Sequence, residues 1–142
     1  MMSAGFRIEQ TSDRKLVLSV YEALGYRRGI AFGDTVWLAQ ASREPIGIVR
    51  VAPEFGVLVL RGMRIAEQWQ RHGIGTKMLH AVSEWLGRRS CCCVPYAHLV
   101  GFYSQIGSAE ITPEAAPAFL AERLTDYRQQ GLNVTLMARL SP

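Results

Sequence analysis

The spacing of hydrophobic residues divides the first half of the chain into helical and extended segments. Apolar residues recur every three or four positions over 13–25 and again over 74–86, a spacing typical of amphipathic helices. Segments rich in valine, isoleucine and leucine predict strands over 6–10, 35–41, 45–52 and 56–66. Because only short loops join the last three of these strands, we expect them to pair antiparallel.

The second half continues the alternation of strands and helices. "SCCCV" (90–94) predicts a fifth strand, and the intervening helix predicts that it runs parallel to the fourth strand through a right-handed crossover. Apolar spacing predicts helices over 97–107 and 113–131, and a last strand is predicted over 133–140. These elements indicate an α+β (mixed α/β) fold in a single domain spanning 1–142.

The composition is that of an ordinary soluble globular protein, and it limits the kinds of partner that we expect. Of 142 residues, 49% are hydrophobic and 20% are charged, and no apolar run is long enough for a membrane span or a secretory signal. We therefore expect a cytoplasmic protein that does not insert into a membrane. Sixteen basic residues outnumber 12 acidic ones, but they are scattered along the chain without interleaved aromatic residues, which argues against nucleic acid as a partner.

Three adjacent cysteines stand in the predicted fifth strand. On a strand, Cys91 and Cys93 face one side and Cys92 faces the other, so the three cannot converge on a metal ion. An odd number of adjacent cysteines also argues against a disulfide framework. We expect all three to be buried as small hydrophobic residues and expect no metal site.

A glycine-containing loop, "QRHGIG" (70–75), precedes the second predicted helix. The first N–H groups of a helix lack intrahelical partners and the helix dipole is positive at that end, so such a loop can bind an anion. Gly73 and Gly75 would let a phosphate approach the backbone, and Thr76 could add a hydroxyl. Positive side chains stand nearby at Arg71, His72 and Lys77. The loop is neither a Walker A motif nor a dinucleotide fingerprint, and an ordinary glycine turn remains the alternative.

Two motifs in the right order give the chain a family resemblance. The loop 70–75 matches the pattern [Q/R]-x-x-G-x-[G/A], and "HLVGFYSQIG" (98–107) resembles the later helical block of the GCN5-related N-acetyltransferase (GNAT) family. The order of elements over 6–107 is similar to that of the family as well. The resemblance implies a GNAT fold, in which a mostly antiparallel sheet is flanked by helices and the fourth and fifth strands splay apart. It also implies direct transfer of the acetyl group of acetyl-CoA to an amine of a small molecule or a protein.

The resemblance also implies roles for individual residues. Backbone groups of Met63 and Ile65 would bind the pantetheine arm and polarise the thioester carbonyl. The loop would hold the pyrophosphate, and its residues are Gln70, Arg71, His72, Gly73, Ile74, Gly75 and Thr76. Tyr103 aligns with the family's frequent general acid; the alternative is a tyrosine that only packs in the core.

The acceptor end departs from the family pattern. The fourth strand carries no carboxylate base, and four acidic residues elsewhere are only distant candidates, namely Glu22, Asp34, Glu54 and Glu110. Tyr96 stands where asparagine is frequent, Ser108 replaces an aromatic residue, and the helix predicted over 113–131 is additional. Arg27 and Arg28 could receive an acidic acceptor or be solvated. A noncatalytic acyl-CoA-binding protein therefore remains the alternative function, and the sequence leaves a homodimer open.

Overall fold

A seven-stranded sheet forms the centre of the protein. The computed structural model describes residues 5–26, 30–31 and 33–140. Its strands are β1 (Arg7–Thr11), β2 (Thr35–Ala41), β3 (Glu44–Glu54), β4 (Val57–Ile65), β5 (Cys91–Cys93), β6 (Ala109–Glu110) and β7 (Met137–Arg139). They lie in the order β1-β2-β3-β4-β5-β7-β6. Among the strands that the structure describes, β4 and β5 pair parallel and the other neighbours pair antiparallel. The predicted α+β fold is confirmed.

Helices cover both faces of the sheet. They are α1 (Arg14–Ala23), α2 (Ile74–Leu86), α3 (Val100–Tyr103) and α4 (Ala118–Gln129). Apolar residues of α2 share one buried cluster with Leu60, Cys91 and Cys93. On the other face, α4 packs against Val59 and Cys92, and α1 packs against the same side of β2 and β3. We call these the α2 face and the α4 face. The predicted opposite facings of the cysteines are confirmed, and all three are buried.

Tight turns and caps set the boundaries of the early elements. The Asp13 side chain accepts a hydrogen bond from the Leu16 N–H, which caps α1. Two-residue turns join β2 to β3 at 42–43 and β3 to β4 at 55–56, and both residues of each turn have positive φ. Turns of this kind match the twist of paired strands, and the antiparallel pairing predicted for these strands is confirmed. Helix α2 occupies the predicted range 74–86.

The later elements differ from the predictions. The helix predicted over 97–107 is a 3-10 turn, the single turn α3 and another 3-10 turn. The helix predicted over 113–131 begins only at Ala118, because Pro117 holds the preceding Ala116 extended. The strand predicted over 133–140 shortens to β7, and β6 pairs beside it without having been predicted.

Strands β4 and β5 stay together for only two residue pairs, Val59 with Cys92 and Leu60 with Cys93. Beyond Leu60, β4 continues to Ile65 along β3, whereas the chain after β5 leaves through Pro95. A bulge accompanies the separation, because Gly62 and Met63 together fall between the pairs Arg50–Arg61 and Ile48–Arg64. Gly62 has φ +64°, and an added Cβ would lie 2.5 Å from the Tyr21 hydroxyl. The expected splaying of the fourth and fifth strands is therefore present.

Among the described residues, none of the helices has the length and apolar composition that crossing a bilayer requires.

Candidate active site

A cavity of about 650 Å³ fills the gap that opens between β4 and the chain leaving β5. Its walls include β4 from Val59 onward, the loop before α2, and the segment 93–103. Residues from α4 and the turn after α1 complete the wall on the opposite side of the sheet, through Arg123, Tyr127 and Tyr26. The cavity therefore connects the α2 face with the α4 face through the sheet.

The loop before α2 forms one end of this cavity. Arg71 and Gly73 both adopt left-handed conformations, with φ +66° and φ +80°. The Gln70 side-chain amide donates to the Ile65 carbonyl oxygen at 3.2 Å, which ties the loop to the end of β4. The predicted residues Gln70, Arg71, Gly73, Ile74, Gly75 and Thr76 all line the cavity. Because α2 begins at Ile74, its first N–H groups lie at this end of the cavity, where an anion would be stabilised.

The two glycines of the loop have different structural reasons. An added Cβ at Gly73 would meet no atom within 4 Å, so the requirement there is the positive φ and the open space. An added Cβ at Gly75 would lie 2.9 Å from Phe102 Cζ and 3.3 Å from Ile65 Cδ1. Gly75 thus allows α2 to pack closely against α3, a packing role in addition to the phosphate clearance that the sequence predicts.

His72 and Lys77 are not part of the cavity wall. The His72 ring packs on Trp69 with centroids 5.3 Å apart, and its Nδ1 lies 3.0 Å from the Gln70 carbonyl oxygen. Both His72 and Lys77 are exposed. We therefore assign the positive charge at this end to Arg71, which does line the cavity.

Met63 and Ile65 lie on the wall formed by β4, as expected. Their carbonyl oxygens already accept hydrogen bonds, at Met63 from Arg64 Nη1 (2.9 Å) and at Ile65 from Gln70 Nε2 (3.2 Å). A carbonyl oxygen has two lone pairs, so these side-chain bonds alone do not prevent either oxygen from accepting a bond from a ligand.

Tyr103 combines burial with access to the cavity. Its side chain is only 8% exposed, packs edge-on against Phe102 at 5.0 Å, and lines the cavity wall. Burial, together with the neighbouring Cys93, raises the pKa of Tyr103 well above its ordinary value, although Arg64 opposes this. The hydroxyl is therefore protonated at neutral pH and is a hydrogen-bond donor.

None of the four acidic candidates for a base lines the cavity. Asp34 forms a buried ion pair with Arg50 at 3.2 Å. Glu54 is bound by two arginines, and Glu110 accepts from Thr135 Oγ1 at 3.1 Å. Glu22 is exposed on α1. The predicted contacts of Arg27 and Arg28 lie outside the described residues.

His98 is a titratable side chain in the cavity wall that the sequence analysis did not single out as a site residue. Its ring stacks on Tyr96 with centroids 5.9 Å apart. The histidine at the start of the motif 98–107 was the available signal. His98 was missed because only carboxylates were considered as candidate bases.

Comparison with known proteins places this geometry in a family. A family model described as an acetyltransferase (GNAT) domain matches residues 32–110, which is more than half of the chain. The chain belongs to the GNAT acetyltransferase family. No curated protein matched the sequence.

Solved structures share the fold of this GNAT domain. A GNAT acetyltransferase from Streptococcus pneumoniae superposes with TM-score 0.70 at 13% identity, covering 97% of this chain and 100% of that one. A protein from Lactobacillus plantarum that is assigned as an N-acetyltransferase gives a TM-score of 0.68 at 16% identity, covering 97% of this chain and 99% of that one. N-acetylglutamate synthase from Neisseria gonorrhoeae, solved with coenzyme A and N-acetyl-glutamate, gives 0.66 at 14% identity, and 99% of this chain spans 36% of that protein. At these identities the likeness concerns the fold alone.

Arginines dominate the part of the GNAT cavity that opens on the α4 face. Arg61 and Arg64 of β4 and Arg123 of α4 all line it, and no aspartate or glutamate does so among the described residues. Arg64 stacks over the Tyr26 ring at 4.7 Å. Within the described ranges, no three His, Cys, Asp or Glu side chains cluster in an arrangement that could hold a metal ion.

Proposed function

We propose that this GNAT domain transfers the acetyl group of acetyl-CoA to an amine by direct attack in a ternary complex. The observation that carries the proposal is a single cavity that joins the glycine loop before α2, the buried Tyr103 and an opening on the α4 face. Two substrates that enter from opposite faces of the sheet can meet in such a cavity. Holding them together supplies the proximity on which a direct transfer depends.

Acetyl-CoA would enter from the α2 face. Its pyrophosphate would accept hydrogen bonds from N–H groups of the loop 71–76, where Gly73 leaves open space. The pantetheine arm would run back along β4 from Ile65 to Met63, a path bounded by Leu99 and Phe102. This arrangement would bring the thioester beside the bulge at Gly62 and Met63 and within the same cavity as Tyr103.

The reaction forms an N–C bond and breaks the C–S bond. An amine must attack in its neutral form, and the positive charges of Arg61, Arg64 and Arg123 disfavour an ammonium in the cavity. The amine proton would pass to solvent directly or through His98, which is exposed at the cavity wall. The departing CoA thiolate would take a proton or a hydrogen bond from the Tyr103 hydroxyl, which burial keeps protonated.

A second candidate function is noncatalytic binding of acyl-CoA. The observation that favours it is the lack of any carboxylate among the described residues of the cavity wall. Under this alternative the loop before α2 would bind CoA in the same way, but no group would assist the loss of the amine proton.

Release of CoA thiol in the presence of a panel of amines separates the two functions. We expect thiol release that depends on an added amine, with the acetylated product identified by mass spectrometry. Calorimetry with CoA gives the binding constant independently. CoA binding without amine-dependent release by any amine of the panel would favour the noncatalytic protein, and absence of CoA binding would contradict both functions.

A further inference from the structure

We propose that the acceptor is a small amine that carries a carboxylate, and that Arg61 and Arg123 bind this carboxylate on the α4 face. The inference rests on the proposed acetyl transfer and deepens it by assigning the class of the second substrate. It also gives a role to α4, the helix that is additional to the family pattern.

The alternation of β4 places its arginines on the side opposite the loop before α2. Val59 packs in the α4 cluster and Leu60 in the α2 cluster, so Arg61 returns to the α4 face. Its partner in the ladder, Arg50, also lies on that face, where it packs over the ring of Tyr21. The cofactor and the arginines therefore approach the gap in the sheet from different sides.

Glu54 holds the two proposed arginines together. Arg123 donates to both of its carboxylate oxygens, at 2.7 and 3.1 Å, and Arg61 Nη1 lies 3.3 Å from Glu54 Oε1. Burial alone would raise the pKa of Glu54, but the hydrogen bonds from Arg123 and the charges of both arginines lower it. Glu54 is thus ionised at neutral pH. It fixes the orientation of two guanidinium groups and neutralises only one of their two charges.

Each guanidinium has five N–H donors, and Glu54 accepts three hydrogen bonds from the two groups. A planar guanidinium group can donate two parallel hydrogen bonds to a carboxylate, which fixes the orientation of that carboxylate. Both side chains are partly buried, with 21% exposure for Arg61 and 19% for Arg123. Because partial burial weakens solvent screening, a second carboxylate at this position would be held more firmly than at an open surface.

The balance of charge around the cavity calls for an anion on this side. Arg64 adds a third positive side chain to the wall, and the charge of the nearby Arg50 is already matched by Asp34. Glu122 and Asp126 do not line the main cavity; they line an adjoining hollow of about 350 Å³, to which Arg61 and Arg123 also contribute. An amine without a compensating anion would meet net repulsion in the main cavity, whereas an amino acid brings its own carboxylate.

The spacing along β4 suits a small molecule. Arg61 is two positions from Met63, a separation of at most about 7 Å at roughly 3.3 Å per strand residue, which the bulge at Gly62 and Met63 shortens. A molecule with its amine at the thioester beside Met63 would therefore reach Arg61 with a carboxylate only a few bonds away. This scale favours a free amino acid over a long side chain of a protein.

The test compares acids with their neutral counterparts. The probes are the standard amino acids and the corresponding amino-acid amides, with phosphoethanolamine as a phosphate-bearing amine. Thiol release is measured at saturating acetyl-CoA, and thermal melts of the CoA-bound protein with each probe report binding separately. The variants are Arg61→Gln, Arg123→Gln and Arg123→Lys, with Arg88→Gln as a control at an exposed arginine that does not line the cavity.

We expect at least one amino acid to be acetylated with a kcat/KM about tenfold or more above its amide. Arg61→Gln and Arg123→Gln should each lower this value by about 10- to 100-fold, mainly through KM for the acceptor, because each removes charge-assisted hydrogen bonds. Arg123→Lys should retain part of the preference, Arg88→Gln all of it, and KM for acetyl-CoA should be unchanged throughout.

The outcomes separate this inference from the proposed function. Equal use of acids and amides, or a preference that survives in both glutamine variants, would overturn the carboxylate site while leaving acetyl transfer intact. Use of phosphoethanolamine in place of every amino acid would replace the carboxylate by a phosphate and overturn the inference as stated. If no amine is acetylated, the proposed function fails. The thermal melts then test the carboxylate site separately. Stabilisation by amino acids but not by their amides, if it is lost in Arg123→Gln, supports the site, and the lack of such stabilisation overturns it.

Discussion

Replacing Gly75 by alanine should destabilise the protein although helix propensity predicts the opposite. Gly75 lies in the first turn of α2, where alanine is intrinsically favoured over glycine by roughly 0.5–1 kcal/mol. The new Cβ, however, would lie 2.9 and 3.2 Å from two atoms of the Phe102 ring and 3.3 Å from Ile65 Cδ1. Carbon atoms make their best contacts at about 3.5–4.0 Å, so the ring must move by several tenths of an ångström.

The magnitude follows from these two opposing effects. Overpacking of a core contact typically costs about 1–3 kcal/mol. After subtraction of the propensity gain, we expect a net loss of about 0.5–2 kcal/mol in the free energy of unfolding. Phe102 is also a wall of the cavity, and a ring displaced into the cavity would weaken CoA binding as well.

Urea unfolding of Gly75→Ala and of the double variant Gly75→Ala/Phe102→Leu provides the assay, with calorimetry of CoA binding in parallel. Leucine lacks the ring edge that the new methyl group meets. Gly75→Ala should therefore cost less stability in the Phe102→Leu background than in the original protein. An alanine variant that is more stable than the original protein and binds CoA equally well would refute the packing role assigned to Gly75.

Three further perturbations address the loop, the acid and the arginine anchor. Gly73→Val should lower CoA affinity at least about tenfold by calorimetry, because the side chain enters the open space at the loop, and unchanged affinity would remove the phosphate from this position. Tyr103→Phe should lower turnover by roughly 100- to 10,000-fold at an unchanged melting temperature. Because burial raises the pKa of Tyr103 above its usual 10, the original protein should show no alkaline loss of kcat up to about pH 10. Full turnover in the phenylalanine variant would leave Tyr103 a packing residue. Glu54→Gln should cost about 1 kcal/mol at pH 7 for a partly exposed ion pair. The lowered pKa of Glu54 means that this stabilisation is present above about pH 4.5 and is lost as the pH falls through the lower folded value, so urea unfolding should show no difference between the two proteins in strong acid.

Local signals in the sequence were sufficient to predict helix α2, which follows the glycine-containing loop. Helix α2 has 13 residues of sustained apolar periodicity and ends at Gly87, which has positive φ, so its range was predicted without error. The range 97–107 offered the same spacing over fewer turns, but there the Ser104 hydroxyl bonds the Gly101 carbonyl oxygen at 2.7 Å. Side-chain bonds of this kind compete with continuous helix, and apolar periodicity does not detect them.

The arginine pair could not be predicted because its parts are distant in sequence. Arg123 and Glu54 are 69 positions apart, and their contact depends on the packing of α4 on the sheet. Glu54 was visible in the sequence, but only as a distant candidate for a base. Its two arginine neighbours, and therefore its role as an anchor of positive charge, became apparent only when the chain was folded.

Helix α4 explains how a polar segment comes to shape a binding cavity. Only Leu120 and Leu124 of this helix are buried, and they pack against Val59 and Cys92 at the one place where β4 and β5 remain paired. Arg123 and Tyr127 stand four positions apart, so they share one side of the helix and both reach the cavity. Two leucines therefore hold the helix at the apex of the split sheet. Its polar residues can contribute to the proposed acceptor site without altering the loop before α2, where we propose that CoA binds.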